Sequence, residues 1–326
     1  MATYKGIQGY SVQKLSSDPT ASEAEGQLWY NSSTGKFKIA VAGAGAWASG
    51  GNVNTARQVG FPANAGTQSA MLLSGGSDVS PAVIDLTESY DGSSWTEVGD
   101  LNTARKNGAG LGTSTAAIDA GGYSTTYSAL CESWNGTSWT ETSNLLTARQ
   151  AVVGCGITTA GIAVGGKDAS IQAVVELWNG TSWSEGANLQ TTKASGTSFG
   201  VQTAANFAGG ETPTVLVAQF EEYNGTSWTE AADLNATSAQ DASGGTSTAA
   251  FTAGGAPGYL ATTEKWDGTS WTEVADLATA RSEIRGGGTS ALGIAMSGSL
   301  PGSPAVSDAT EEWNDPVYTA KTVTVS

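Results

Sequence analysis

The sequence predicts an all-β chain, a six-bladed β-propeller preceded by a short β-hairpin. A three-part pattern repeats along the chain, its period is about the length of one four-stranded blade, and the composition favours strands and turns over helices.

The first part of the repeat is a run of small residues ending in a glycine pair: Gly75-Gly76, Gly121-Gly122, Gly165-Gly166, Gly209-Gly210, Gly254-Gly255 and a degenerate Ser297-Gly298. The second is Glu-x-Trp/Tyr, with Glu88, Glu132, Glu176, Glu221, Glu264 and Glu311 as its acids. The third is a tryptophan in Ser-Trp-Thr/Ser-Glu at Trp95, Trp139, Trp183, Trp228 and Trp271, with a looser copy at Trp47. Copies of this last tryptophan lie 48, 44, 44, 45 and 43 residues apart, and ten of the eleven tryptophans fall on repeat positions.

Each unit reads as strands joined by turns. Segments such as TSTAAIDAGG are short and partly β-branched before a glycine pair, where the backbone turns tightly or meets a neighbour closely. Asp-Gly or Asn-Gly follows the Trp/Tyr of Glu-x-Trp/Tyr in five units, from Asp91-Gly92 to Asp267-Gly268, and gives a hairpin turn between that aromatic and the next tryptophan. The same chemistry explains the Asn-Gly-Thr triplets at Asn135, Asn179 and Asn224, which also match a glycosylation sequon.

There are six glycine-pair segments and six Glu-x-Trp/Tyr segments, but only five good tryptophan strands follow them. The leftover strand, at Trp47, is expected to complete the sixth blade and close the ring. The alternative is closure by Lys321–Ser326, whose period-2 alternation makes it a strand in its own right. The expected division is an attachment hairpin over 1–40, the propeller over 41–316 and a C-terminal strand over 317–326.

The remaining composition narrows the function classes. With 326 residues and a formal net charge of −16, the chain lacks the basic face that a nucleic-acid binder needs, so no nucleic-acid partner is expected. Cys131 and Cys155 are too few for a disulfide framework and have no metal-site spacing, so they read as buried thiols. The N-terminal MATYKGIQGYSVQKL has no apolar core of a secretory leader, and no apolar run is long enough for a membrane helix. The expectation is a protein made in a host cytoplasm, without signal peptide or membrane insertion.

The glycine pair, then Glu-x-Trp/Tyr, then a tryptophan some five residues later resembles the kelch repeat, as in the central domain of galactose oxidase, over roughly residues 40 to 316. That resemblance implies blades around a central channel. It does not carry the oxidase chemistry, because that copper site uses histidines and this chain has none. Sialidase blade turns, Asp-x-Gly-x-x-Trp, are one residue longer than the Asp/Asn-Gly-x-x-Trp found here. No phosphate loop, nucleophile elbow or Cys-x-x-Cys is present, although paired carboxylates of a glycosidase need only meet in space. The expectation is a non-enzyme without cofactor or metal.

Outside the repeat, Gly26-Gln-Leu-Trp-Tyr-Asn-Ser-Ser-Thr-Gly-Lys-Phe-Lys38 reads as a hairpin: an aromatic strand, a polar turn and an alternating strand. This pattern is similar to the start of bacteriophage tail-fibre and other virion appendage proteins, and the acidic Trp-Asn-Gly-Thr-Ser-Trp repeats resemble structural proteins of marine phages. The resemblance implies a virion structural protein, tail- or fibre-associated and present in multiple copies. Its partners would be other virion proteins and a host-surface glycan or protein receptor. A capsid-decorating protein, or a lectin or glycan-active enzyme, is the alternative. Trp29 and Tyr30, which the repeat does not constrain, are the candidate partner-binding residues.

One constellation suggests a ligand site. A Leu-x-Thr-Ala-Arg-like segment places Arg57, Arg105, Arg149, Lys193 and Arg281 at one repeat position, with Ser238 at the sixth. A ring of cations near the channel mouth can hold an anionic sugar or carboxylate, and some kelch domains capture acidic peptides with this arginine. The competing reading pairs each cation with the Glu of Glu-x-Trp/Tyr in its own or the next blade, a tie that requires no ligand. The repeated tryptophans read as inter-blade core.

Overall fold

A computed structural model describes residues 12–19, 27–80, 82–302, 305–316 and 318–324. Residues 1–11, read as lacking a leader, Gly26 of the hairpin motif, and Val325 and Ser326 of the C-terminal strand lie outside them. The chain divides into two compact units, Met1–Ala46 with Asp315–Ser326, and Trp47–Asn314. Among the described residues every regular element is a β-strand, and no helix is long and apolar enough to cross a membrane.

Among the described residues the strands form seven four-stranded sheets, not the six expected. Six belong to Trp47–Asn314, in a propeller-like arrangement, and each corresponds to one copy of the repeat. The second sheet shows the pattern: Ala109–Thr113, Ala116–Ala120, Cys131–Trp134 and Trp139–Thr142 pair antiparallel in chain order. The repeat forms these strands because its landmarks sit at their ends. Trp134 and Trp139 face each other across the Asn135-Gly136 turn with ring centroids 5.5 Å apart. The Asn135 side chain accepts the N–H groups of Thr137 and Ser138, and Gly136 takes φ 93°, a conformation that side chains resist.

The first strands of the six sheets touch one another in cyclic order. Just before each lies one residue with positive φ: Val59, Asn107, Ala151, Ser195, Gln240 and Glu283. These residues are hydrogen-bonded head to tail. Asn107 N–H donates to the Val59 carbonyl at 2.9 Å, Ala151 to Asn107 at 2.6 Å, Ser195 to Ala151 at 3.0 Å and Gln240 to Ser195 at 2.7 Å. Ile284 N–H then donates to Gln240 at 3.2 Å, and Val59 N–H to Glu283 at 3.1 Å, which closes the circuit. A second circuit joins each glycine pair to the next repeat, from Gly76 N–H on the Arg105 carbonyl at 2.9 Å to Gly298 N–H on Arg57 at 2.8 Å.

The Trp47 strand completes the sixth sheet. Ala46–Ser49 is the outer strand of the sixth sheet, beside Thr310–Asn314, while the C-terminal Tyr318–Thr322 pairs elsewhere. The core lies between adjacent sheets: Leu111 and Ile118 of the second pack in one cluster with Val152, Trp178 and Trp183 of the third. The outer tryptophans add polar ties, with Trp139 Nε1 donating to Thr87 Oγ1 of the preceding sheet at 3.0 Å.

The seventh sheet belongs to the other unit. The predicted hairpin is present as Leu28–Asn31 and Lys36–Ala42, Gln13–Leu15 adds to it in parallel, and Tyr318–Thr322 pairs with its second strand. The extra sheet arises because these separately read segments share one set of backbone hydrogen bonds.

Candidate functional site

The five repeated cations lie in the segments leading into the first strands, and all are fully buried. Each pairs with the Glu of the sheet it leads into. Arg57 meets Glu88, Arg105 meets Glu132 at 3.0 Å, Arg149 meets Glu176, and Arg281 meets Glu311 at 2.8 Å. Arg105 Nη1 also donates to the carbonyls of Gly121 and Leu130, while Glu132 accepts the backbone N–H groups of Asn102 and Thr103. The pair thus staples the incoming segment to the sheet. Lys193 lacks the guanidinium fork; its ammonium lies 2.9 Å from Glu221, outside hydrogen-bond geometry, and 4.9 Å from the centre of the Phe207 ring.

The expected ligand-binding ring at Arg57, Arg105, Arg149, Lys193 and Arg281 is therefore corrected to a set of structural ties. None of the five charges faces solvent, and the carboxylate in contact with each already fills the place of an anion. Burial pulls the pKa of Arg57, Lys193 and Arg281 down, against the upward pull of their Glu partners.

A cavity of about 50 Å³, in communication with solvent, lies among the first strands, with residues of all six sheets in its wall. That is room for a few waters or one small polar group. Among the described residues the one cation in its wall is Arg285, at a first-strand position that holds Ala109, Val153, Thr197 and Ala242 in other repeats. Arg285 Nε donates to the Gly60 carbonyl and Nη1 to that of Ile284, both at 2.8 Å.

Part of the remaining wall is polar. Asp241 Oδ1 accepts the Ser238 hydroxyl at 2.7 Å, so the repeat that lacks a cation at position 238 brings in an acid instead. Asp241 Oδ2, Ser198 Oγ and Asn64 Oδ1 are buried atoms without a protein hydrogen-bond partner. Asn64 reaches from the first sheet to the carbonyls of Gly154 and Ser198 in the third and fourth. Burial pushes the Asp241 carboxyl up to about 8 and the Arg285 guanidinium down to about 10. At neutral pH the wall therefore holds a neutral acid and a cation. Sequence reading missed these residues; the available signal was their departure from the repeat at aligned positions.

Of the candidate partner-binding pair, Trp29 is corrected. It is 2 % exposed and packs with Ala40 and Leu15, its Nε1 donating to Asp18 at 3.1 Å. Hydrogen bonds from Asn31 and Trp29 hold the Asp18 carboxyl below its usual range. Tyr30 points the other way, its ring 5.2 Å from that of Phe37. On that face Leu28, Phe37, Ile39 and Val41 are 38 to 49 % exposed, an apolar surface that sequence reading did not single out.

Cys131 and Cys155 are free and buried, and burial raises their thiols to about 11 and about 12, so neither is a ready nucleophile. Among the described residues no three metal-ligating side chains converge. No family model matches the chain, and no curated protein matches it.

Proposed function

We propose that this chain is a bacteriophage virion structural protein, tail- or fibre-associated, in which a six-bladed kelch-type propeller presents a rigid surface to a host receptor or to neighbouring subunits. The observation that carries the proposal is the exposed apolar face of the N-terminal sheet, in the segment whose sequence resembles phage appendage proteins. An alternating strand with Phe37, Ile39 and Val41 all outward is costly to leave in water and suits burial against a virion partner. The two circuits of hydrogen bonds and the buried Arg–Glu ties suit the propeller to a scaffold role, since they hold the sheets rigidly while the connecting loops are free to vary.

Immunogold labelling of purified phage particles with an antibody to the propeller tests the reading. Label on the tail or fibres is expected. Label spread over the head would instead favour a capsid-decorating protein, and intact particles without label would remove the virion role. The polar cavity favours a second reading, a glycan-binding lectin, which turns on whether that cavity takes a ligand.

A further inference from the structure

We infer that the cavity around Arg285 binds the carboxylate of a small hydroxy acid, either free or as the acidic arm of a sugar. This inference does not rest on the virion reading. A protein so acidic repels anions over most of its surface, yet it carries one arginine into a cavity where the repeat otherwise has small or apolar side chains. Two of the three guanidinium nitrogens are held by the carbonyls of Gly60 and Ile284, which fixes the plane of the group and leaves Nη2 for a ligand. A planar, delocalised cation held in this way suits a carboxylate better than a hydrated cation or an apolar group.

The unpartnered atoms supply the rest of the recognition. Ser198 and Asp241 are cavity-lining residues, each at least nine-tenths buried, and each carries a buried oxygen with no protein hydrogen bond. Buried polar atoms are normally satisfied, so three unpartnered ones around one cavity mark a place that a polar guest completes. The Ser198 hydroxyl donates to a carboxylate oxygen. Asn64 Oδ1 is an acceptor and suits a hydroxyl next to that carboxylate. Asp241, whose carboxyl favours the neutral form at neutral pH, adds a donor, and the charge of Glu283 also acts on the Arg285 guanidinium.

Titration calorimetry at neutral pH with glycolate, D-glucuronate and D-glucose tests this. Saturable binding of a carboxylate without binding of glucose is expected. Tighter glycolate identifies a free small acid, and tighter glucuronate an acidic sugar. Arg285→Met should weaken binding at least about tenfold. Because Arg285 also joins the sixth sheet to the first through Gly60, Ser198→Ala is the second variant; its hydroxyl neighbours the Cys155 thiol but has no partner in good hydrogen-bond geometry, so it should weaken binding about threefold with little change in melting temperature. No carboxylate binding up to about 10 mM, equal binding of glucose, or wild-type affinity in Ser198→Ala would overturn the inference.

Discussion

The backbone N–H of Val59 donates to the carbonyl of Glu283 at 3.1 Å, and with that bond the first repeat closes onto the last. All six linking residues have φ between 51° and 63°, although none is glycine. The left-handed region costs an L-residue about 1–2 kcal/mol, more for a β-branched one such as Val59. The strain persists because each N–H in the circuit would otherwise be buried without a partner.

Ala151 is the place to remove that strain, because its side chain is a single methyl group at φ 54°. Ala151→Gly should keep the hydrogen bond to Asn107 and raise stability by about 1 kcal/mol, the relief of strain exceeding the added freedom of the unfolded chain. Urea denaturation read by tryptophan fluorescence checks it. A loss of stability would mean that the circuit does not hold its residues in this conformation.

The Arg–Glu ties make a separate prediction. Arg105→Met leaves Glu132 buried and unpaired, and so should cost about 3–5 kcal/mol. Combined Arg105→Met and Arg149→Met should destabilise further while leaving carboxylate binding at Arg285 unchanged in any protein that remains folded. Denaturation and titration calorimetry on the same preparations separate the two effects. Weakened carboxylate binding at full stability would return the ligand role to the repeated cations.

The contrast between Arg105 and Arg285 shows what the sequence could and could not disclose. The repeat states its own rules six times, so the aromatic pairs, the Asn-Gly turns and the place of the Trp47 strand in the sixth sheet could be read from spacing, while a Glu partner for Arg105, in its own or the next repeat, stood as the competing reading. Arg285 obeys no repeat, and its meaning comes from five other strands that converge on it. Trp29 failed for another reason. Alternation places Trp29 and Tyr30 on opposite faces, but it does not say which face is covered, and that depends on Leu15 and Asp18 arriving from outside the hairpin. The seventh sheet likewise needs Tyr318–Thr322 to meet Lys36–Ala42 across almost the whole chain, which no local pattern reports.

Differences among repeats can be used to improve the fold. Trp139, Trp47 and Trp95 donate their Nε1 to Thr87, Thr263 and Thr310 of the preceding sheets. At the corresponding place Trp183 meets Cys131, whose sulfur is a weak acceptor, and its Nε1 lacks a hydrogen bond. Cys131→Thr nearly conserves volume and supplies the missing hydroxyl, so it should stabilise by about 0.5–1.5 kcal/mol. A melting temperature at or below that of the unchanged protein would show that the threonine hydroxyl does not reach the indole.

Two buried acids should make stability fall as pH rises. Burial pushes Asp119, which accepts a hydrogen bond from Ser74, and Asp241 up to about 8 from an ordinary value of 3.8. Both groups are neutral in the folded protein over a range where the unfolded chain has already lost their protons. Their contribution is therefore complete below pH 3.8 and is lost progressively as pH rises through about 8. Within that window each acid gives a slope of at most about 1.4 kcal/mol per pH unit. Asp119→Asn retains an acceptor for Ser74 and cannot ionise, so urea denaturation at a series of pH values should give a shallower slope for the variant. Its gain over the unchanged protein should grow toward pH 8, since only the carboxyl must then give up hydration or take up a proton to be buried. Parallel curves for the two proteins would mean that Asp119 titrates as an ordinary carboxylate and that its surroundings admit water.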